Sequence, residues 1–283
     1  MTLVSMKELL HKADRDGGYA VPALNFVNME VLEGIVAAAD EMKSPVILQA
    51  SEGALKYAGV KVLAAMAIAA ARKSKVPMAL HLDHGIHLNT LHDAAKAGFT
   101  SLMFDGSHYP FSENLNKSRW AVRLARRAGV SIEIEVGIIG GREEQIHGGK
   151  GEFTDPDQAW AFEKNTKPDA LAVSIGNAHG HVKKELKLDF ALLKTLDSFT
   201  RAPLVLHGSS GVSDSELKKA ISLGIRKVNT DTQLRNAFTQ ELRKALAENP
   251  DEIDLRKYLG PARDAVAKVA MARIEACGSE DKA

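Results

Sequence analysis

Val76-Pro77-Met78-Ala79-Leu80-His81-Leu82-Asp83-His84-Gly85 is an apolar run that stops abruptly in His, Asp, His and Gly. A short run of this kind reads as a buried strand whose end opens on a reactive rim. Three ionisable side chains within the four residues His81 to His84 are costly to bury unless they pair or bind a metal.

Outward from this run the same alternation continues in both directions. Strand-like segments are expected at Tyr19–Asn25, Ser44–Ser51, Val76–His84, Ser101–Asp105, Val130–Val136, Asp169–Gly176, Pro203–Gly208 and Ile225–Thr230. Helical stretches follow them at Met29–Met42, Val60–Ser74, Leu88–Ala97, Ser112–Ala128, near Pro156–Lys164, and at Phe190–Leu196, Asp214–Leu223 and Gln233–Ala247. Eight strand–helix units of similar size with no linker between them predict an α/β fold, the (β/α)8 TIM barrel. The competing fold is a doubly wound open sheet. No Gly-x-Gly-x-x-Gly turn follows the first strand, which weakens it. Residues 1–283 read as one domain, with 251–283 as a C-terminal helical extension suited to packing on the barrel or on a second subunit.

Bulk composition narrows the classes of function. With 37 Lys+Arg against 36 Asp+Glu, the net charge of +1 gives no electrostatic support for nucleic-acid binding. The N-terminus Met1-Thr2-Leu3-Val4-Ser5-Met6-Lys7-Glu8 lacks a signal-peptide core, and no uncharged run approaches the roughly 20 residues of a membrane span. Cys277 is the only cysteine, so no intrachain disulfide can form, which suits a reducing interior. A cytoplasmic protein with no membrane or nucleic-acid partner is expected. Cys277 falls in the helical tail and reads as a structural residue.

The barrel reading tests itself, because all eight strand ends open on one face. Asn25, Ser51, Asp83-His84 and Asp105 stand at the ends of strands one to four, and Glu135 lies near the end of the fifth. His179 follows strand six, His207 ends strand seven, and Asn229 to Thr232 end strand eight.

Neutral imidazoles from three strands, His84, His179 and His207, with one coordination position open, match a catalytic zinc site. Cobalt or iron would suit the same donors. Asp83 would lie within reach of anything bound there and could exchange a proton with a substrate hydroxyl. The alternative is that it orients a histidine. Asp105 and Glu135 could hold a second ion or orient the ligands. His81 shares a strand face with Asp83 and reads as a supporting or core residue. The remaining histidines carry no assignment.

Gly208-Ser209-Ser210-Gly211 and Asn229-Thr230-Asp231-Thr232 follow strands seven and eight, where this fold commonly binds phosphate against helix N-terminal amides. The segment Gly137–Gly151 has six glycines in fifteen residues, together with Glu143 and Glu144. It is expected to be a long loop, either a mobile lid that delivers a carboxylate on closing or a solvated surface loop.

HLDHG at 81–85, MFDGSH at 103–108, the GG-x-EE segment, Gly176-Asn177-Ala178-His179-Gly180, His207-Gly208-Ser209-Ser210-Gly211 and Asn229-Thr230-Asp231-Thr232 form one pattern over nearly the whole chain. It resembles that of the metal-dependent (class II) fructose-bisphosphate aldolases and their ketose-bisphosphate relatives. The resemblance implies zinc on His84, His179 and His207, with Asp105 and Glu135 at an additional metal site for a second divalent or a monovalent cation. It implies Asp83 as the proton-transfer residue at the C4 hydroxyl and Glu143 as the acid/base for the carbanion. Gly180, Gly208, Ser209 and Ser210 would bind the dihydroxyacetone-phosphate end, with Asn229, Asp231 and Thr232 beside them and Asn25 and Ser51 lining the substrate. Arg256 falls where the family has Asp-Pro-Arg, an arginine reaching the other phosphate from a neighbouring subunit of a homodimer or higher homo-oligomer. Here Leu255 replaces the proline.

Three rivals are weighed. Tagatose 1,6-bisphosphate or another ketose phosphate is the nearest, and Asp231, where tagatose members tend to carry Ala, favours fructose. A lysine Schiff-base aldolase would need a reactive lysine inside the barrel. Strands two to seven place none there, and Lys227 on strand eight precedes the rim. A non-catalytic sugar-phosphate sensor would need the phosphate loops but neither Asp83 nor a glutamate on a lid.

Overall fold

The computed structural model describes residues 3–143, 146–149, 151–180 and 186–283, with 142, 143 and 146–148 given by backbone course alone. The chain begins with helix α1 (Met6–Asp16), then β1 (Val21–Asn25), α2 (Met29–Glu41), β2 (Val46–Ser51), α3 (Glu52–Ala58), α4 (Val60–Lys73) and β3 (Met78–Gly85). Next come α5 (Leu88–Ala97), β4 (Ser101–Phe104), α6 (Phe111–Ala128), β5 (Ser131–Val136), β6 (Gly140–Glu143), β7 (Ile146–Gly149), α7 (Pro156–Thr166) and β8 (Ala170–Val173). The remainder is β9 (Ala178–His179), α8 (Phe190–Phe199), β10 (Leu204–Leu206), α9 (Asp214–Ser222), β11 (Ile225–Thr230), α10 (Thr232–Glu248) and α11 (Arg256–Cys277).

Eight parallel strands close into a barrel in the order β1-β11-β10-β8-β5-β4-β3-β2. The eight expected strands are these eight, each trimmed by a few residues at most. Both faces of the strands are covered, so β3 is buried along its whole length and its outward Leu80 and Leu82 join the main core beneath the helices. Helix starts are set by side-chain caps: Ser5, Asn28, Asp189 and Ser213 each accept a backbone N–H of the first turn that follows.

The barrel interior is layered. At its N-terminal end Val21, Ala23, Ile47, Ala79, Met103, Ala170, Ala172 and Val205 pack against Met6, Leu9, Leu10 and Ala13 of α1, which plugs the opening. Above that plug the inward positions turn polar: Gln49, His81, Glu133 and Lys227 are fully buried, and Asn25, Asp83, Glu135, His207 and Asn229 lie beyond them.

Three elements differ from the expectation. Helices α1 and α3 were absent from it, although Ser5-Met6-Lys7-Glu8 carries the spacing of a capping box. The glycine-rich segment is not a long loop, because β6 and β7 pair antiparallel and β6 pairs in parallel with β9. Glycine density lowers strand propensity but does not forbid a ladder whose hydrogen bonds come from the backbone. As expected of a residue that precedes the rim, Lys227 stands fully inside the barrel, in register with Val21 and Val205.

Candidate active site

Strand ends bring the sites together. His84 closes β3 in the left-handed region, with φ 46°. That conformation costs a non-glycine residue about 1–2 kcal/mol. His179 sits on the two-residue strand β9, and His207 lies directly after β10. Single ring nitrogens of His84, His179 and His207 lie within 4.8 Å of one another, and all three residues are buried.

Two of the three imidazoles are oriented by carboxylates. His84 donates from Nδ1 to Asp105 Oδ2 at 2.9 Å, and His207 donates from Nε2 to Glu133 Oε1 at 2.8 Å. This leaves His84 Nε2 and His207 Nδ1 facing each other at 2.9 Å. Burial alone would lower both histidines. For His84 the charge of Asp83, the hydrogen bond and charge of Asp105 and the charge of Glu135 overcome it and carry the group well above its ordinary value. For His207 the neighbouring charges of His84 and Lys227 add to burial and hold it well below.

Asp83 is placed between two amides. Asn25 Nδ2 donates to its Oδ2 at 2.8 Å and Asn229 Nδ2 to its Oδ1 at 3.2 Å. Glu135 lies 3.8 Å from His84 Nδ1, and burial, then the charge of Asp105, pushes it well above the usual carboxylate range. His84, Asp105 and Glu135 form a second group with ligand atoms within 4.8 Å.

Two hollows open on this face. The first is lined by Asp83, Gly180, His207, Gly208, Ser210 and Thr232, with Asn25, Asn229 and Asp231 along its wall. The second is lined by Asn25, Phe26, Val27, Ser51, Asp231, Leu234 and Arg235, among others. Asp231 is bridged to Arg235, Nε to Oδ1, at 2.7 Å. A separate cleft of about 940 Å³ lies at the opposite end of the barrel around Lys7, Trp160 and Arg201 and holds none of these groups.

Several expected site residues stand apart. The hydroxyl of Ser209 is buried and donates to the Asn229 carbonyl at 2.6 Å, so it ties the loops after β10 and β11 rather than facing a hollow. Ser51 lines the second hollow while its Oγ caps α3 by accepting from Ala54 N at 3.2 Å. Arg256 has a side chain 90% exposed and ion-paired to Asp254, and it lines neither hollow. The side chain of Glu143, with Glu144, lies outside the described residues. His81 has a supporting place, its Nδ1 2.7 Å from Ser101 Oγ. Cys277 is buried and its thiol is pushed up to about 12 by burial, in keeping with a structural residue.

Glu133 and Gln49 were missed by the sequence reading, and Lys227 entered it only as the lysine of the Schiff-base rival. Strict alternation in Ser131-Ile132-Glu133-Ile134-Glu135-Val136 puts Glu133 and Glu135 on one face, which was the available signal.

Residues 4–282 match the model of the family described as fructose-bisphosphate aldolase class-II. The chain belongs to that family. A fructose-bisphosphate aldolase of Geobacillus stearothermophilus is 43% identical over 286 residues, covering 100% of this chain and 99% of the relative. One of Thermus caldophilus is 43% identical over 306 residues, covering 99% and 100%. Among solved structures, the YdjI aldolase of Escherichia coli K12 is 35% identical with a TM-score of 0.85, covering 99% of both chains. A putative fructose-1,6-biphosphate aldolase of Coccidioides immitis is 28% identical with a TM-score of 0.87, covering 98% and 97%.

Class II aldolases are metal-dependent lyases, and the donor set here fits a divalent cation. Three buried imidazoles converge, two with the distal N–H engaged by a buried carboxylate, the usual orientation of metal-ligating histidine. Among the described residues no single helix is long and apolar enough to cross a membrane.

Proposed function

We propose that this chain catalyses the reversible aldol cleavage of fructose 1,6-bisphosphate to dihydroxyacetone phosphate and glyceraldehyde 3-phosphate, with zinc on His84, His179 and His207. The observation that carries the reading is the pairing of a three-histidine cluster with Asp83, a carboxylate that receives an amide N–H on each oxygen beside that cluster. Bound there, a divalent ion acts as a Lewis acid on the ketose carbonyl.

The chain's own residues supply the rest. Asp83, held by an amide donor on each oxygen, takes the C4 hydroxyl proton as the C3–C4 bond breaks. After the aldehyde half has left, Glu143, on β6, gives a proton to the carbon that was C3 of the ketose, completing dihydroxyacetone phosphate. The backbone amides around Gly180, Gly208, Ser209 and Ser210, with Thr232 at the N-terminus of α10, hold the phosphate of that half. Asn229 and Asp231 flank it, and Asn25 and Ser51 line the path to the second hollow. Asp105 and Glu135 hold a further cation beside His84. Arg256, exposed at the start of α11, reaches the distal phosphate of a partner subunit in a homodimer. The enzyme works in the cytoplasm, where its one thiol stays reduced.

The Schiff-base rival loses its candidate: Lys227 donates to Asn229 Oδ1 at 2.7 Å and pairs with Glu133 at 2.9 Å. Tagatose 1,6-bisphosphate remains the alternative substrate, and Asp231 on the wall shared by both hollows favours fructose. The test is cleavage of the two ketose bisphosphates side by side, before and after EDTA and zinc add-back. Fructose cleavage that is lost with EDTA and restored by zinc is expected. Tagatose preference overturns the substrate, and chelation-independent turnover by metal-free enzyme overturns the mechanism.

A further inference from the structure

Lys227 is fully buried at mid-depth in the barrel and has no part in the chemistry above. Its Nζ pairs with Glu133 Oε2 at 2.9 Å and donates to Asn229 Oδ1 at 2.7 Å. An ammonium offers donors only, so the Asn229 amide must turn its oxygen toward Lys227 and its NH2 away. That NH2 is the group that stands 3.2 Å from Asp83 Oδ1 and 3.1 Å from His207 Nδ1. The other oxygen of Glu133 accepts from His207 Nε2. A mirror arrangement serves the second oxygen of Asp83: Gln49 Nε2 donates to Asn25 Oδ1 at 2.8 Å, leaving Asn25 Nδ2 for Asp83.

We propose that Lys227 is a positioning residue, which fixes the orientation of the Asn229 amide so that its N–H is aimed at the carboxylate of Asp83. The inference rests on the aldolase reading of Asp83. An unpinned Asn229 amide can turn its oxygen toward Asp83, replacing attraction by repulsion between two acceptors. Being buried, the pair Lys227–Glu133 must be satisfied together, which is why a mere counter-charge role for Lys227 has to be tested separately.

Two variants make the separation. In Lys227→Met, Glu133 loses its counter-charge and Asn229 its pin. In the double variant Lys227→Met/Glu133→Gln the pair is neutralised as a whole, and the amide oxygen that replaces the Glu133 carboxylate oxygen still accepts from His207. The readouts are the midpoint of thermal unfolding, zinc affinity by chelator competition, and kcat and KM. Lys227→Met is expected to unfold at lower temperature and to lose about a hundredfold in kcat, the cost of a small misplacement of a reacting group. The double variant is expected to regain the unfolding midpoint and zinc affinity of the parent while kcat stays low and KM moves less than about threefold. Recovery of kcat together with stability overturns the proposal, because Lys227 is then only a counter-charge. Unchanged kcat in Lys227→Met overturns it as well. If the parent cleaves a different ketose phosphate, the substrate assignment fails separately, and the same comparison is run on the substrate it does cleave.

Discussion

His84 and Asp105, joined at 2.9 Å, are displaced in opposite directions. Burial alone would raise the Asp105 carboxyl, yet the hydrogen bond and charge of His84 hold it well below its ordinary range. Burial alone would lower His84, yet Asp83, Asp105 and Glu135 carry it well above. A depressed carboxyl contributes stability that is present above its unfolded value, about 3.9, and lost as pH falls through the folded one. A raised histidine contributes stability that is full below its unfolded value, about 6.5, and lost as pH rises through the folded one. In metal-free protein the stability difference between the parent and Asp105→Asn is therefore expected to be largest between about pH 4 and 6.5. Urea unfolding across pH checks this, and a difference that grows steadily toward alkaline pH contradicts it.

Asp105 also fixes which nitrogen of His84 faces the cluster. Asp105→Asn keeps the shape but weakens that orientation, so zinc affinity is expected to fall about 10- to 100-fold. Competition with a chromogenic chelator measures it. Affinity unchanged within error assigns Asp105 to the additional cation alone.

Gly141, in β6, has φ +89°, and a Cβ there would run into the carbonyl oxygen of His179 and lie 2.7 Å from its nitrogen. Gly208 approaches the same short strand from the other side, where a Cβ would meet the Ala178 carbonyl and stand 3.0 Å from His179 N. Gly141→Ala is expected to push His179 out of the cluster and lower zinc content more than it lowers the unfolding midpoint of metal-free protein. Metal analysis of the dialysed variant is the check, and full occupancy overturns it.

At the other end of the barrel, Met6 is fully buried in the plug formed by α1. Met6→Ala is expected to cost about 2–5 kcal/mol of folding stability with kcat unchanged, since the plug and the rim are separate layers. Denaturant unfolding together with steady-state kinetics tests both halves.

The barrel was legible because parallel strands buried on both faces read as short apolar runs at regular spacing. The histidines were legible because rim positions are polar where the strands are not. The pairing of Lys227 with Glu133 was not, since a charged pair inside a barrel is satisfied across strands far apart in sequence, and neither residue signals the other. The β6–β7 hairpin was hidden by glycines whose backbone alone forms the ladder. Ser209 misled for a simpler reason: a hydroxyl in a phosphate-type loop can turn inward, and this one does.

Among the described residues, the two hollows meet only at Asn25 and Asp231. On the aldolase reading proposed above, the half of the substrate held beside the histidine cluster and the half that leaves as the aldehyde would be handled by nearly separate walls. Phe26, Val27, Leu234 and Arg235 touch only the second. On that reading, substitutions at those four positions are expected to alter which aldehyde is accepted while leaving the histidine cluster and Asp83 in place. Divergence in substrate range within such a barrel then proceeds by small steps along one wall, with the carbon–carbon chemistry inherited intact.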